Sequence, residues 1–164
     1  GAHPMPMSST KAMLRLAEAL DDDGCITAEG EARLIDTVDE FNSIAKTSGC
    51  GELMAFATSA VRDAKNSEEM LTRLREKTGV HLAVLAGTDE ARLTFLSVRR
   101  WFGWSAGRIL NIDIGGGSLE MSIGGDEEPD VALSLALGAG RLRGMPSALA
   151  SVLGWGGLAA VVSS

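Results

Sequence analysis

Short apolar runs alternate with segments of helical character along this chain, and that alternation decides its fold class. Two runs, at 53–57 and 80–86, lie between helical segments, and three more follow in succession at 108–114, 119–123 and 130–137. Strands that alternate with helices and then follow one another predict an α/β fold with a mixed sheet and flanking helices. The continuous run at 53–57 predicts a buried strand.

The helical segments carry recognisable start and stop signals. The first is predicted to begin after Thr27, a good N-cap residue, and to end near Ser48. The second begins at Ser67, whose hydroxyl we expect to cap it, and ends before Gly79. The third covers residues 87–102. These signals predict one helix before each of the first two strands and one helix after them.

Composition divides the chain into three parts. Residues 1–10 are small and polar and are predicted to be a disordered leader that starts with a tag remnant. Residues 11–143 carry the folded domain, in which the pattern at 11–20 fits either a helix or the end of a strand. Residues 144–164 are almost uncharged and form a divergent tail, which glycines interrupt too often for a transmembrane helix.

Charge and residue usage exclude several kinds of function. The chain has 22 acidic and 15 basic residues and a net charge of −7, so we expect no nucleic-acid partner and no membrane surface. Two cysteines and two histidines rule out a disulfide framework, a structural zinc site and a catalytic triad. No secretory signal is visible, which favours the cytoplasm. Enzyme chemistry would then depend on carboxylates, arginines and backbone amides, with a hard cation such as Mg²⁺ as the candidate metal.

The strongest local signal is a glycine-rich reversal between two strands. One strand ends at Asp113, and the next carries Glu120 near its start, so a reversal would bring both carboxylates to one mouth. Glycines let backbone amides approach an anion, and successive amides in a tight turn form an anion-binding nest. An ordinary hairpin would suit three adjacent glycines badly, because glycine loses the most conformational entropy on folding. The turn residues that would bind phosphate are Gly115, Gly116, Gly117 and Ser118.

Two further segments could contribute to a phosphate site. Glu90 lies in the first turn of a predicted helix, where the helix dipole stabilises its charged form and where it could act as a general base. Taken by itself, ordinary helix-end electrostatics is the better explanation of Glu90. Arg62 leaves the end of the first strand and could hold a phosphate oxygen, but a surface pair with Asp63 is as good an explanation. We expect the Arg99-Arg100 pair to be a solvated helix end, and we expect the nearby aromatic residues to form core or a domain contact; these are Trp101, Phe102 and Trp104.

Three segments in this order, 57–66, 87–93 and 113–120, resemble motifs of the exopolyphosphatase / guanosine pentaphosphate phosphohydrolase (Ppx/GppA) family. Residues 134–142 resemble the family's next strand and loop, so the resemblance extends from about Lys11 to Leu142. It implies an actin-like, ribonuclease H-like fold. By the same resemblance, residues 11–143 are part of an N-terminal actin-like phosphatase domain and the domain is incomplete.

The resemblance also implies an activity and a set of roles. Family members are Mg²⁺-dependent hydrolases that release terminal phosphate from polyphosphate or guanosine pentaphosphate. Carried over to this sequence, Glu90 is the catalytic base, Asp113 and Glu120 serve the metal, and Arg62 binds phosphate. The remaining phosphate-binding residues are Gly115, Gly116, Gly117 and Ser118.

The sequence also departs from the family pattern. No segment matches the family's first hairpin, which carries a second phosphate loop, and Asp89 stands where the family usually has glutamate. We therefore expect a fragment with impaired hydrolysis. Its alternative is a phosphate- or nucleotide-binding sensor module without turnover, and kinase chemistry is a third hypothesis. A sheet edge left open by the missing hairpin would favour a homodimer.

Overall fold

The computed structural model describes residues 8–139 and, for the backbone only, residues 160–163. Residues 1–7 of the predicted leader (1–10), residues 140–143 of the predicted domain, and residues 144–159 and 164 of the predicted tail (144–164) lie outside the described residues. Residues 8–10 are exposed and belong to no helix or strand. No helix within the described ranges is both long enough and apolar enough to cross a membrane.

Four α-helices and six strands make up the described structure. The α-helices are α1 (Ala28–Thr47), α2 (Ser59–Arg62), α3 (Ser67–Thr78) and α4 (Gly87–Phe102). The strands are β1 (Ala55–Ala57), β2 (Leu82–Val84), β3 (Ile109–Ile114), β4 (Leu119–Gly124), β5 (Val131–Leu135) and β6 (Ala160–Ser163). Two 3₁₀ turns, Leu16–Ala19 and Trp104–Ala106, precede α1 and follow α4. The undecided segment at 11–20 thus contains a short 3₁₀ turn.

The strands run both parallel and antiparallel, as the α/β prediction required, but they lie in two sheets. β1 pairs in parallel with β2, and a second, antiparallel sheet has the order β5-β4-β3-β6. The parallel pair needs a crossover, which α3 supplies, whereas short turns connect β3, β4 and β5. Helix α4 links the two sheets and packs on β3, β4 and β5.

Local signals set both ends of α1 as predicted. Thr27 is the N-cap residue, and its Oγ1 accepts a hydrogen bond of 3.2 Å from the amide of Gly30. The helix ends at Thr47, with Ser48 as its C-cap. Gly30 also allows a close approach, because a Cβ there would lie 2.7 Å from the Cβ of Ala19 in the first 3₁₀ turn. The small residue therefore lets the chain before α1 pack directly on the helix.

Helix α3 starts without the expected hydroxyl cap. The N-cap residue is Asn66, not Ser67, and its side chain caps nothing. Instead Asn66 Oδ1 accepts from the amide of Ile26 and Nδ2 donates to the carbonyl of Ile26, both at 2.9 Å. The predicted helix start at Ser67 is confirmed, but the predicted cap by its hydroxyl is wrong, because Ser67 is the first helical residue and Asn66 occupies the N-cap position.

We expect Asn66→Ala to destabilise the fold by about 1–3 kcal/mol, because both backbone groups of Ile26 lose their side-chain partner. Urea unfolding measures the loss. Asn66→Asp is the matched control, since it keeps the acceptor for the Ile26 amide and loses only the donor. Its stability should lie between those of the wild type and Asn66→Ala. A wild-type midpoint for Asn66→Ala would contradict the prediction.

An apolar cluster lies between α1, α2, α3 and β1. Its buried members are Ile26, Leu34, Ile35, Ala57, Val61, Ala64, Met70 and Leu74. The segment 53–57 contributes less than predicted: Met54 and Phe56 are 72% and 53% exposed, and only Ala57 is buried. The buried-strand prediction was wrong because β1 has three residues and, among the strands of the described ranges, pairs only with β2.

Arg99 lies inside the protein, although a solvated helix end was expected. Its guanidinium donates to the carbonyl oxygens of Gly103 (3.2 Å), Gly107 (2.6 Å) and Gly124 (3.2 Å). It also lies 5.7 Å from the ring centre of Trp104. Arg99 thus holds the end of α4 against the end of β4. Trp101 and Trp104 are 75% and 62% exposed, so the core interpretation was wrong for both.

Candidate functional site

The β3–β4 hairpin places Asp113 and Glu120 side by side. They are direct partners in the antiparallel register, so both side chains lie on one face of the sheet, as the sequence predicted. Glu120 is buried, and its Oε1 accepts a 2.8 Å hydrogen bond from Ser134 Oγ on β5. Sequence reasoning missed Ser134, because finding it needed the register of a third strand.

Glu90 adds a third carboxylate from the start of α4. Burial, followed by the negative charge of Glu120, raises the pKa of Glu90, and a hydrogen bond from Arg62 opposes that rise only in part. This direction is opposite to the one that the helix dipole alone predicts. Burial and the Glu120 charge also raise the pKa of Asp113. The three acids therefore form one cluster of crowded negative charge.

Arg62 is tied to this cluster. Its Nη1 donates to Glu90 Oε2 at 3.3 Å and to the carbonyl of Leu85 at 3.2 Å, and its Nε contacts Asp63 Oδ1 at 3.3 Å. The alternative of an Arg62–Asp63 pair is thus confirmed. In residues 8–139 the Nη2 group donates to no partner, so part of the guanidinium remains available to an anion.

Two adjoining cavities open beside these side chains. One has a volume of about 320 Å³ and is lined by Arg62, Asp63, Gly87, Thr88, Ser134 and Ala136. The other, of about 640 Å³, contains Ser59 and Gly117 among its lining residues. They share Asp63 and Ala136. Together they form a mouth between helix α2, which follows β1, and the β3–β4 turn.

The glycine turn offers three free backbone amides. Gly115 N donates to Ser118 O at 2.9 Å, and the amides of Gly116, Gly117 and Ser118 donate to no group in the described part of the chain. None of the three glycines has a positive φ. The turn therefore does not use left-handed backbone to present its amides; Gly116 is exposed, whereas Gly117 and Ser118 are buried. An anion-binding turn remains a prediction.

Close packing explains why glycine is needed in this turn. A Cβ on Gly117 would lie 2.6 Å from Ser59 Oγ and 3.1 Å from Ser59 Cβ. A Cβ on Gly138 would collide with the backbone of Gly117 itself. A Cβ on Gly116, in contrast, would meet nothing within 4 Å. Gly116 therefore has space for a side chain, whereas Gly117 lies between Ser59 and Gly138 and has none.

We therefore expect Gly117→Ala to destabilise the protein by about 1–3 kcal/mol through overpacking against Ser59. Gly116→Ala, one residue away, should be neutral or slightly stabilising, because it has space and needs no positive φ. Urea unfolding of the two variants checks the difference. Equal losses would show that the turn requires glycine for its backbone conformation and not for packing.

The raised pKa of Asp113 leads to a stability prediction. Its ionised form is less favourable in the folded chain than in the unfolded chain, so stability falls as pH rises from the ordinary aspartate range through the raised pKa. Asp113→Asn should accordingly be more stable than wild type at neutral pH and not in acid. Unfolding at both pH values measures this, with exposed Asp36→Asn as the control. A gain of equal size in acid would contradict the prediction.

The donor set fits magnesium in part. No group of three or more His, Cys, Asp or Glu side chains in the described ranges is arranged to hold a metal ion. Mg²⁺, however, is commonly held through one or two carboxylates together with water and substrate phosphates. Asp113 and Glu120 supply two adjacent hard oxygen donors, and the raised pKa of Asp113, from burial and the Glu120 charge, reports negative charge that a cation would relieve.

Comparison with known proteins gives consistent matches. A sequence profile for the Ppx/GppA phosphatase family matches residues 1–146. Exopolyphosphatase 1 of Mycobacterium tuberculosis is 71% identical over 142 residues, which cover 87% of this chain and 41% of that protein. Exopolyphosphatase 1 of Mycobacterium leprae is 68% identical, with 87% and 42% covered. The chain thus spans about two fifths of the length of these curated relatives.

Solved structures show the same architecture. An exopolyphosphatase from Cytophaga hutchinsonii superposes with a TM-score of 0.69 at 32% identity, over 73% of this chain and 38% of that one. A Ppx/GppA protein from Aquifex aeolicus gives a TM-score of 0.67 at 25% identity, over 80% and 43%. The α/β arrangement described above is therefore the one that these solved chains contain.

Proposed function

Because this chain belongs to the Ppx/GppA phosphatase family and has its actin-like fold, we propose that it forms part of a hydrolase that releases terminal phosphate from polyphosphate. The observation that carries the proposal is the contact of Arg62 with Glu90 beside the cavity that Arg62 lines, which adjoins a second cavity lined by Gly117 of the glycine turn. Relatives named Exopolyphosphatase 1 favour polyphosphate as the substrate. Guanosine pentaphosphate presents the same type of phosphoanhydride bond and is the second substrate to test.

The reaction we propose is direct attack by water. Arg62 Nη2 and the amides of residues 116–118 would hold the oxygens of the terminal phosphate. Glu90, whose pKa burial raises, would take a proton from the attacking water. The water oxygen bonds to the terminal phosphorus as the bridging P–O bond breaks, and the shortened chain leaves with the bridging oxygen. Hydrolysis of this kind depends mainly on positioning and charge neutralisation.

Magnesium is part of the proposal through Asp113 and Glu120. These two carboxylates would hold the ion together with phosphate oxygens and water. When bound, Mg²⁺ supplies neutralisation of the negative charge on the phosphates. Ser134 would keep the buried Glu120 carboxylate in place through its 2.8 Å hydrogen bond.

The contact between Arg62 and Glu90 supports a coupled role for the two residues. Arg62, whose Nη1 contacts Glu90 Oε2, lines the smaller cavity, where a phosphate oxygen would compete for its guanidinium. Substrate binding would then draw Arg62 towards phosphate and leave the Glu90 carboxylate free to accept a proton.

The proposal is tested by phosphate release from long-chain polyphosphate with Mg²⁺. Two proteins are compared, this chain and a version extended to the length of its relatives, with guanosine pentaphosphate assayed in parallel. Release by the extended protein supports the hydrolase. Binding of Mg²⁺ and polyphosphate without release by either protein would instead support a sensor module, and transfer of phosphate to a sugar would support a kinase.

Two further proposals concern the assembly of the protein and its location in the cell. β1 has one partner in the described sheet, so its other edge could pair with a second copy, and light scattering of a concentrated sample tests this homodimer. A cytoplasmic location agrees with the two free cysteines, Cys25 and Cys50, and cell fractionation tests it.

A further inference from the structure

A buried polar pair lies directly behind the carboxylates of the site. Asn111 and Ser122 are register partners in the β3–β4 hairpin, two residues from Asp113 and Glu120 respectively, and so lie on the same face of the sheet. Asn111 is 0% and Ser122 2% exposed. On this face of the sheet, the side chains next to the two carboxylates are therefore the amide of Asn111 and the hydroxyl of Ser122.

This pair lacks hydrogen-bond partners. Asn111 Oδ1, Asn111 Nδ2 and Ser122 Oγ are buried and bond to nothing in the described residues. A buried polar group left in that state costs about 1–3 kcal/mol. The same face accepts an apolar side chain two residues away, where Ile109 is fully buried. Packing alone gives no reason for polar side chains at these two positions.

Helix α4 covers the pair. At one end Glu90 lies close enough to Glu120 for their charges to interact, and at the other Arg99 Nη2 donates to Gly124 O at 3.2 Å. From Glu90 to Arg99 the helix rises about 13.5 Å, and from Glu120 to Gly124 the strand extends about 13 Å, so the two contacts are the same distance apart on both elements. The helix residues between these ends that are fully buried are Ala91 and Phe95. On this scale Ala91 lies level with Glu120 and Phe95 level with Ser122, so the buried helix side chains beside this layer are apolar and offer the pair no hydrogen bond.

We propose that Asn111 and Ser122 hold a buried water molecule behind the carboxylate pair and through it fix the side chains of Asp113 and Glu120. Residues two apart on one strand face are separated by about 6.6 Å. A water that makes two hydrogen bonds of about 2.8 Å joins polar atoms up to about 5.6 Å apart. That reach is close to the spacing between neighbouring side chains on this face. Asn111 and Ser122 are then positioning residues for the site.

Direct observation of the water is the first test. A crystal structure of this chain, at a resolution that shows ordered solvent, should contain a water within hydrogen-bond distance of both side chains. Asn111→Ala and Ser122→Ala, which remove polar atoms without adding bulk, should each lose it. A dry wild-type site, with the amide and hydroxyl bonded to each other, would overturn the proposal. This measurement needs no activity.

Kinetics is the second test, and it rests on the proposed function. In the extended protein, Ser122→Ala should lower kcat for phosphate release about tenfold and leave KM unchanged, because residues behind metal-binding carboxylates typically matter by 10–100-fold. Ser122→Thr, which keeps a hydroxyl, should restore most of the rate. Met121→Leu, on the opposite face of β4, is the matched control and should be unchanged.

The outcomes separate the two ideas. An ordered water with equal rates for Ser122→Ala and Met121→Leu would overturn the positioning role. A wild-type protein without phosphate release would contradict the proposed function, and the crystallographic water would then decide the inference alone.

Discussion

Replacing Glu90 by glutamine should lower kcat for phosphate release by about 10²–10⁴-fold, the usual contribution of a general base. Glutamine has the same shape and can still accept a hydrogen bond from Arg62, so substrate affinity should change little. It cannot take a proton from water. The raised pKa of Glu90, caused first by burial and then by Glu120, also places the acid limb of the wild-type pH profile above the ordinary glutamate range. Activity falls as pH drops through that value.

Asp89→Asn is the matched control for this variant. Asp89 lies in the same helical turn and carries the same charge, but it is exposed and pairs with Arg92 at 3.2 Å. If helix-end electrostatics were the only role of these acids, both variants would lose similar activity and stability. We expect Asp89→Asn to retain nearly full kcat. The measurement is steady-state phosphate release from polyphosphate by the extended protein across pH.

Arg99→Met should destabilise the fold by about 3 kcal/mol or more. It leaves three backbone carbonyls, at Gly103, Gly107 and Gly124, without the guanidinium that binds them, and each unpaired group costs about 1–3 kcal/mol if buried. That is a large share of the 5–15 kcal/mol that stabilises a typical domain. The helix α4 that carries Glu90 would lose its attachment to β4, so activity should also become sensitive to temperature.

The adjacent residue supplies the control. Arg100 is exposed and reaches Glu127 only at 3.5 Å, so Arg100→Met should cost no more than about 1 kcal/mol. Urea unfolding of both variants measures the difference. Equal losses would show that Arg99 contributes through general charge and not through its buried hydrogen bonds.

Local sequence signals predicted the elements but not the long-range contacts. The ends of α1 and α4 follow from capping and composition, and the parity of positions 113 and 120 predicted that their carboxylates share a face. The roles of Asn66 and Arg99 could not be predicted, since their partners lie in other elements. Division of the strands into two sheets likewise depends on which edges pair, and apolar pattern does not specify that.

The candidate site showed the same division. Asp113 and Glu120 came from one hairpin and were placed correctly relative to each other, whereas Ser134 needed the register of β5. The Glu90 pKa was mispredicted in direction, because burial beside Glu120 outweighs the helix dipole. The family assignment named the acids, and only the structure showed that Arg62 is bound to Glu90 at 3.3 Å.

The mouth of the site is a seam between two separately hydrogen-bonded sheets. Arg62 follows the first sheet, the free amides belong to the second, and Ser59 meets Gly117 where they touch. An anion bound by groups from both sheets would link the two sheets and oppose their separation. The activity of such a site depends on the relative position of the two sheets as well as on its residues. A substitution elsewhere that shifts one sheet by about an ångström would lower activity although every residue of the site is retained.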